Sequence, residues 1–333
     1  MDQKIYQQNK KALIHSFLVY GGITVLIGAA LVVLMEMGLM KRTYTEMLIQ
    51  IDYYVILAVS LNLVCGFLGE LSLGHAAFMS VGAYLGSIIT NQLNTNWMVS
   101  VVIAMVIGGV AASIFALLFR LSVLRLRGDY LAIVTLAFGE IIKSIVNSLG
   151  TVTGGPAGLK NYNNYTGTDH YLFVFTIVAI SVIVISNIIK TRHGRAIRAV
   201  RDNAIAAEAM GIPVNKIRLL TFVVSSCFAG IAGVIYSNSA TIIYPSSFDF
   251  NMSIDILVIA VLGGLANIKG SIVAVIVIIG LPEILRPLKD YRMVIYSIAL
   301  IAIMLFNNST LKKRLMENNK LPALLKRSKK EEA

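Results

Sequence analysis

The chain has 333 residues, of which 57% are hydrophobic and only 14% are charged, and its mean hydropathy is +0.77. Soluble domains carry about 25% charged residues, so this composition excludes an ordinary soluble protein and indicates one that spans a membrane. The net charge of +12 does not indicate nucleic-acid binding, because the basic residues lie between apolar runs and at the chain ends. That placement is typical of charges that face an anionic membrane surface.

Ten apolar runs are long enough, or nearly so, to cross a bilayer as helices, which takes about 20 residues each. The predicted spans are 14–35, 47–68, 75–92, 97–119, 129–149, 171–189, 218–237, 252–268, 270–285 and 291–306. Three of them (75–92, 252–268 and 270–285) are short or interrupted by glycine, so we expect broken or re-entrant helices among them. The sequence therefore predicts an all-α, polytopic transmembrane bundle of about 8–10 spans.

An even number of crossings puts both termini on one side of the membrane. If that side is the cytoplasm, 22 Lys and Arg residues lie inside and 6 outside, as the positive-inside rule requires. We therefore predict a multi-pass protein of the cell (cytoplasmic) membrane, surrounded by lipid. Its predicted parts are a cytoplasmic N-terminus (1–13), a membrane domain (14–306) with a cytoplasmic segment at 190–217, and a basic cytoplasmic tail (307–333).

Three stretches, at 66–86, 227–237 and 261–271, are rich in Gly, Ala and Ser. Small residues let transmembrane helices approach closely, so tight packing explains each glycine by itself. Irregular backbone at membrane depth is tolerated only in a protein interior or along a cavity, and several broken segments together are typical of a translocation pathway. The residues assigned to pathway or packing are Gly69, Ser72, Gly74, His75, Gly82, Gly263, Gly264 and Gly270.

Two charged residues, Glu140 and Lys143, lie inside the span 129–149. Being three residues apart, they can meet on one helix face and partly neutralise each other. We expect a structural ion pair, with a proton relay as the alternative. The following external loop carries a glycine-rich turn that could also face a partner or the mouth of a pathway. Its candidate residues are Thr153, Gly154, Gly155, Pro156 and Gly158.

The basic segment 192–213 stands between two apolar runs. We predict one amphipathic helix of about four turns over 195–210, because the segment is rich in alanine, has a glycine at each end, and is followed by Pro213. The helix has three possible roles. It can lie on the membrane surface with its arginines at the headgroups, it can be an ordinary positively charged loop, or it can dock into a groove on a cytoplasmic protein.

No catalytic motif is present in the sequence: HExxH, GxSxG and GxxxxGK[ST] are all absent. No spacing of His and Cys residues indicates a metal site, and no cofactor is expected. Because the chain has no phosphate-binding loop, we predict that it is not an enzyme and cannot hydrolyse ATP by itself.

Five motifs, in this order along the chain, resemble those of branched-chain amino acid ABC transporter permeases of the LivM type. They are GELSLGHAAFMSVGAY, LRGDYLAIVTLAFGEIIK, TGGPAGL, GRAIRAVRDNAIAAEAMGIPVNKIRLLTFVVSSCFAGIAG and VLGGLANIKGS. The resemblance extends from about residue 50 to residue 305. Gly270-Ser271 departs from the Gly-Pro that is usual in the family.

This resemblance implies a subunit that forms half of an importer's translocation pathway. Its implied partners are a second, related permease, two cytoplasmic ATPase subunits and an extracytoplasmic solute-binding protein. The implied solutes are branched-chain amino acids, with urea, an amide or another small polar molecule as alternatives within the family. Outside this family, the alternative function is that of an ion-coupled secondary transporter. The residues implied to take up ATPase motion are Gly194, Arg195, Arg198, Arg201, Asp202, Asn203, Ala207, Glu208 and Gly211.

Overall fold

A computed structural model describes residues 42–93, 96–123, 126, 128–162 and 168–285, together with seven isolated positions between 291 and 305. The described chain is almost entirely helical, which confirms the predicted all-α fold class. It divides into two units, Met1–Val275 and Ile276–Ala333. The predicted spans 14–35 and 291–306, the N-terminus 1–13 and the tail 307–333 lie outside the described residues, apart from isolated positions in 291–306.

The α-helices are α1 (Arg42–Asn62), α2 (His75–Gln92), α3 (Trp97–Ser122), α4 (Asp129–Ser148), α5 (Gly150–Thr153), α6 (Thr168–Lys190), α7 (Arg192–Asp202), α8 (Ala204–Ala209), α9 (Val214–Ser239), α10 (Phe250–Leu262) and α11 (Ile268–Ile284). A π-helix (Leu63–Leu68) continues α1, and two 3₁₀ turns occupy Gly155–Ala157 and Pro245–Phe248. Strands β1 (Leu159–Lys160) and β2 (Ile242–Ile243) pair antiparallel, with Leu159 opposite Ile243.

Five helical stretches are long and apolar enough to cross a membrane: Tyr44–Leu68, Trp97–Ser122, Asp129–Ser148, His170–Lys190 and Val214–Ser239. They coincide with five of the predicted spans. The three spans expected to be short or broken correspond to α2, α10 and α11, and the irregular backbone between α10 and α11 falls in the glycine-rich stretch predicted to interrupt the helix. The total number of crossings stays a prediction.

The helix α1 forms the centre of the described bundle. It packs against α6, α9 and α10, and 89% of its apolar window is buried, against 28% for α4 and for α6. A helix that is apolar all round and enclosed by other helices belongs to the interior of a membrane protein. The exposed apolar faces of α3, α4 and α6 are free to meet lipid or another subunit.

Small residues bring α2, α3 and α9 into close backbone contact. A side chain at Gly82 of α2 would overlap the carbonyl group of Gly230 in α9, and one at Gly233 would overlap the carbonyl oxygen of Met79. A side chain at Gly108 of α3 would meet Val234 of α9. Since helix association in lipid depends on packing, these contacts define the tight core of the bundle.

Loops that were predicted to lie on the same side of the membrane lie at the same end of the bundle. At one end, the Asn91 side chain donates to the Lys160 carbonyl over 3.0 Å, and the Asn161 side chain donates to the Ser237 carbonyl over 2.6 Å. At the opposite end lie α7, α8, the π-helix and the start of α9, which contact one another. Which end faces the cytoplasm stays a prediction. We call the first the sheet end and the second the elbow end, since α7 and α8 form an elbow there.

Candidate functional site

The cytoplasmic segment predicted at 190–217 contains two short helices rather than one. The prediction of a continuous helix over 195–210 is wrong, because the backbone at Asn203 is extended (φ −157°, ψ 104°) and separates α7 from α8. The Asn203 side chain accepts hydrogen bonds from two backbone N–H groups of α8, both over 3.0 Å, and so starts the second helix. Gly211, with φ 80°, follows the end of α8.

The helix α7 is fixed closely to the end of α6. Gly194 lies against the Ile189 backbone, where any side chain would overlap the carbonyl group. The Arg198 guanidinium donates to the carbonyl oxygens of Ile189, over 3.3 Å, and of Gly194, over 3.4 Å. Ile197 and Val200 are buried on the inner side. These contacts fix the start of α7 to the end of α6.

A second connection joins α7 to the π-helix. Arg201 donates from Nη1 to the Gly66 carbonyl oxygen over 3.2 Å, and its side chain lies against Gly69, whose φ is 79°. The same guanidinium forms an ion pair with Asp202, with Nη2 3.0 Å from Oδ1. Arg201 is thus the side chain through which the elbow contacts the irregular end of the central span. π-helical segments occur frequently at functional sites.

The outer surface of the elbow combines apolar and charged side chains. Ile205 is 79% exposed and Met210 is 82% exposed, whereas Ala207 is buried against the bundle. Arg195 and Glu208 are also exposed. Two large apolar side chains surrounded by charges on a short, well-anchored helix form a surface suited to a groove on another protein.

Three charged residues, distant in sequence, form a buried cluster at the elbow end. The Glu70 carboxylate lies 2.7 Å from Arg120 Nη2 and 3.0 Å from Arg218 Nε. The Arg120 side chain is fully buried, with its guanidinium carbon 5.7 Å from the Phe222 ring centroid. The cluster joins the loop after the π-helix to the end of α3 and the start of α9. None of these three residues was predicted from the sequence to belong to a site. The sequence shows them only as charged residues at the ends of apolar runs.

The loop between the π-helix and α2 packs on α4. Leu73 donates from its backbone N–H to Thr135 Oγ1 over 2.9 Å, and Gly74 lies against the Thr135 backbone. Ser72 is buried in the same loop. His75 begins α2, with its Nε2 2.8 Å from Ser60 Oγ in α1. The structure thus places these candidate residues in helix contacts within the bundle.

The glycine-rich turn between α10 and α11 is held by Asn62 at the end of α1. Asn62 Oδ1 accepts from the Ala266 N–H over 2.8 Å, and its Nδ2 donates to Ser271 Oγ over 2.7 Å. The hydroxyl of Ser271 is therefore part of this contact. Gly263 and Gly270 lie against each other's backbone, which leaves no room for a side chain at either position.

At the sheet end, the two predicted intramembrane charges do meet. Lys143 Nζ lies 3.3 Å from Glu140 Oε2, and both side chains are partly exposed. The loop Thr153–Gly158, predicted to be external, forms the end of α5 and a 3₁₀ turn, and Thr153 Oγ1 donates to the Val146 carbonyl over 2.6 Å. Gly154, Gly155 and Gly158 all have positive φ, and Pro156 lies within the turn.

No group of His, Cys, Asp and Glu that could hold a metal ion occurs among the residues that the structure describes. The elbow lies between α6 and α9 in the chain and contacts the π-helix at the end of the central span. Residues 43–306 match the family described as branched-chain amino acid transport system / permease component. The chain belongs to that family of permeases.

Named relatives agree with this assignment. The chain is 31% identical over 284 residues to the high-affinity branched-chain amino acid transport system permease protein LivM of Escherichia coli, covering 76% of this chain and 66% of the relative. It is 25% identical over 254 residues to a probable LivM permease of Methanocaldococcus jannaschii, covering 65% and 74%. Identity to the E. coli permease LivH is 23% over 279 residues, covering 76% and 88%. The chain thus spans about two thirds of the length of the E. coli LivM protein. No solved structure matches the chain.

Proposed function

We propose that this permease forms half of the translocation pathway of an ATP-driven importer for branched-chain amino acids. A second, related permease subunit supplies the other half, and two cytoplasmic ATPase subunits drive the cycle. An extracytoplasmic binding protein delivers the solute. Family membership supports the class of transporter, and the names of the LivM and LivH relatives support the solute.

The observation that carries this proposal is the construction of the elbow. Its distal surface presents Ile205 and Met210 to a partner, while Arg201 contacts the Gly66 carbonyl of the central span. A segment that is exposed at one end and bonded to the core at the other can convert movement of a partner into movement of helices. The coupling role of Gly194–Gly211 therefore belongs to this proposal.

The charge distribution supports the direction of coupling. The elbow end carries the segment 190–217, which the positive-inside rule assigns to the cytoplasm. ATP binding would draw the two ATPases together, shift the elbows of both permeases and rock their membrane helices. The sheet end, which carries the loop Thr153–Gly158, would then receive the binding protein from outside.

The test is reconstitution of the permease with its three kinds of partner in lipid vesicles. We expect uptake of L-leucine that requires ATP and the loaded binding protein, and that persists when the proton gradient is collapsed. Replacing both Ile205 and Met210 by serine should abolish uptake and release the ATPases from the complex. The paired substitution of the exposed Val106 and Val110 of α3 by alanine should leave both intact. Uptake by the permease alone would contradict the proposal, as would loss of uptake on collapsing the proton gradient.

A further inference from the structure

A cavity of about 330 Å³ opens at the sheet end of the bundle. It lies between α1, the end of α9, the 3₁₀ turn Pro245–Phe248 and the start of α10. Its volume is within the range of small-molecule sites, which is about 300–1,000 Å³. None of the residues assigned to the pathway from sequence lines it, and the elbow contacts lie at the other end of the bundle.

One wall of the cavity is anionic. Asp249 and Asp255 both line it, and none of the described lining residues is basic. Asp249 Oδ1 accepts from the Met252 N–H over 3.0 Å and Oδ2 accepts from the Asn251 side chain over 2.7 Å. Each carboxylate oxygen can accept a further hydrogen bond. Burial alone would raise the pKa of Asp249, but these hydrogen bonds and the nearby Lys143 charge hold it below its ordinary value.

Three tyrosines also line the cavity. The rings of Tyr53 and Tyr54 stack with centroids 5.0 Å apart, and Tyr236 meets Tyr53 edge-to-face at 5.5 Å. Aromatic faces attract organic cations and also accommodate aliphatic chains. A bare divalent cation requires a shell of oxygen ligands instead. The combination of carboxylates with tyrosines therefore selects an organic ammonium group.

The positive charge of Lys143 acts on one of these aspartates. Lys143 of α4 is close enough to Asp249 for its charge to act on the aspartate, and it also pairs with Glu140. Glu140, Ser144 and Ser148 are exposed along the same helix. An exposed polar stripe on a membrane-spanning helix is costly against lipid, so it indicates a water-filled path or a protein interface. The cavity thus lies next to a polar face of the membrane domain.

We propose that this cavity is an entry subsite for the transported amino acid. Asp249 and Asp255 bind the ammonium group of the solute, and the tyrosines pack against its side chain. This inference rests on the proposed function, which it makes more specific: the permease recognises the ammonium group of the solute and does not merely admit whatever the binding protein releases.

The test uses the complete reconstituted complex with saturating, leucine-loaded binding protein. Asp249→Asn removes the charge but keeps an oxygen able to cap α10, so it separates binding from helix stability. We expect Asp249→Asn and Asp255→Asn each to lower leucine uptake per ATP hydrolysed by about tenfold, the loss typical of a hydrogen bond to a charged group. ATPase stimulation by the binding protein should be unchanged. Asp129→Asn, at the other end of α4, is the matched control and should leave uptake unchanged.

A second measurement needs no variant. Saturation-transfer NMR on the wild-type complex without binding protein should detect L-leucine but not 4-methylpentanoate, which is leucine without its ammonium group. Equal signals from the two compounds would overturn the inference. Unchanged uptake in both aspartate variants, with leucine transport intact in the wild type, would overturn it as well and leave the proposed function standing. A wild-type complex that hydrolyses ATP but moves no leucine would instead refute the proposed function.

Discussion

Replacing Glu70 by glutamine removes one negative charge from a buried site and leaves its shape almost unchanged. In the wild type this carboxylate contacts two guanidinium groups, those of Arg120 and Arg218. The Arg120 side chain has no exposed surface, and the side chains of Arg218 and Glu70 are 9% and 8% exposed. The described charges of the cluster sum to +1, so the substitution leaves two buried positive charges close together.

The magnitude follows from burial. Breaking a buried ion pair by removing one partner costs about 3–5 kcal/mol, because the remaining charge loses both water and its counter-ion. We expect Glu70→Gln to lower the free energy of unfolding by about that amount. Arg120→Gln should cost less, since it leaves a neutral Glu70–Arg218 pair and removes two buried guanidinium nitrogens that have no hydrogen-bond partner among the described residues.

The assay is unfolding of the purified permease in mixed micelles by titration with sodium dodecyl sulfate. Glu140→Gln is the matched control, because it also neutralises a glutamate paired with a cation, but its pair is partly exposed. That pair should contribute only about 0–1 kcal/mol. The reasoning is refuted if Glu70→Gln is no more destabilising than Glu140→Gln, or if Arg120→Gln is more destabilising than Glu70→Gln.

Four further predictions concern other parts of the chain. Asn203→Ala removes the oxygen that starts α8, which should cost about 1 kcal/mol in the detergent titration and lower uptake per ATP, whereas Asn203→Asp should restore both. Gly82→Ala forces a side chain into backbone and should cost about 1–3 kcal/mol, while Gly139→Ala, where nothing lies within 4 Å, should not destabilise the protein. Ala266 has a φ of 61°, which is unfavourable for a residue with a side chain, so Ala266→Gly should stabilise the protein by about 0.5–1 kcal/mol. An unchanged unfolding midpoint would show that the backbone at this turn is not strained. Because the pKa of Asp249 is lowered, its carboxylate stays ionised as pH falls until below the ordinary aspartate value. The ratio of leucine uptake by the wild type to uptake by Asp249→Asn should therefore be the same at external pH 7 and at about pH 5. A ratio that falls to one around pH 6 would contradict the role of Asp249.

Much of the fold could be predicted because lipid imposes length and composition on every crossing. The five long spans follow directly from apolar runs, and the break between α10 and α11 follows from three glycines in ten residues. The division of the segment 190–217 at Asn203 was missed, although asparagine is among the preferred residues for starting a helix. The alanine-rich sequence on both sides of Asn203 favoured a continuous helix over 195–210. Helix propensity is a local property and cannot reveal that the tertiary structure bends the chain at Asn203.

The buried charge cluster could not be predicted for a different reason. Glu70 and Arg120 are 50 residues apart in sequence, and Arg218 follows in yet another span, so no helical period relates them. By hydropathy alone, charges at the ends of apolar runs are indistinguishable from interfacial residues that face water. Only the packing of α3 and α9 against the loop after the π-helix brings them together. Pairing at that distance is tertiary information, which a single sequence does not contain.

The position of this cluster is relevant to the proposed coupling of the elbow to the membrane helices. Arg201 contacts Gly66 and lies against Gly69, and the next residue, Glu70, carries the bonds to α3 and α9. The elbow is therefore connected to the end of α3 and the start of α9 through a few consecutive residues. Charged hydrogen bonds in a dry site resist stretching more than apolar contacts do. The cluster would then keep the coupled helices moving as one body, so that Glu70→Gln, even where the protein still folds, should lower uptake per ATP more than it lowers ATP hydrolysis.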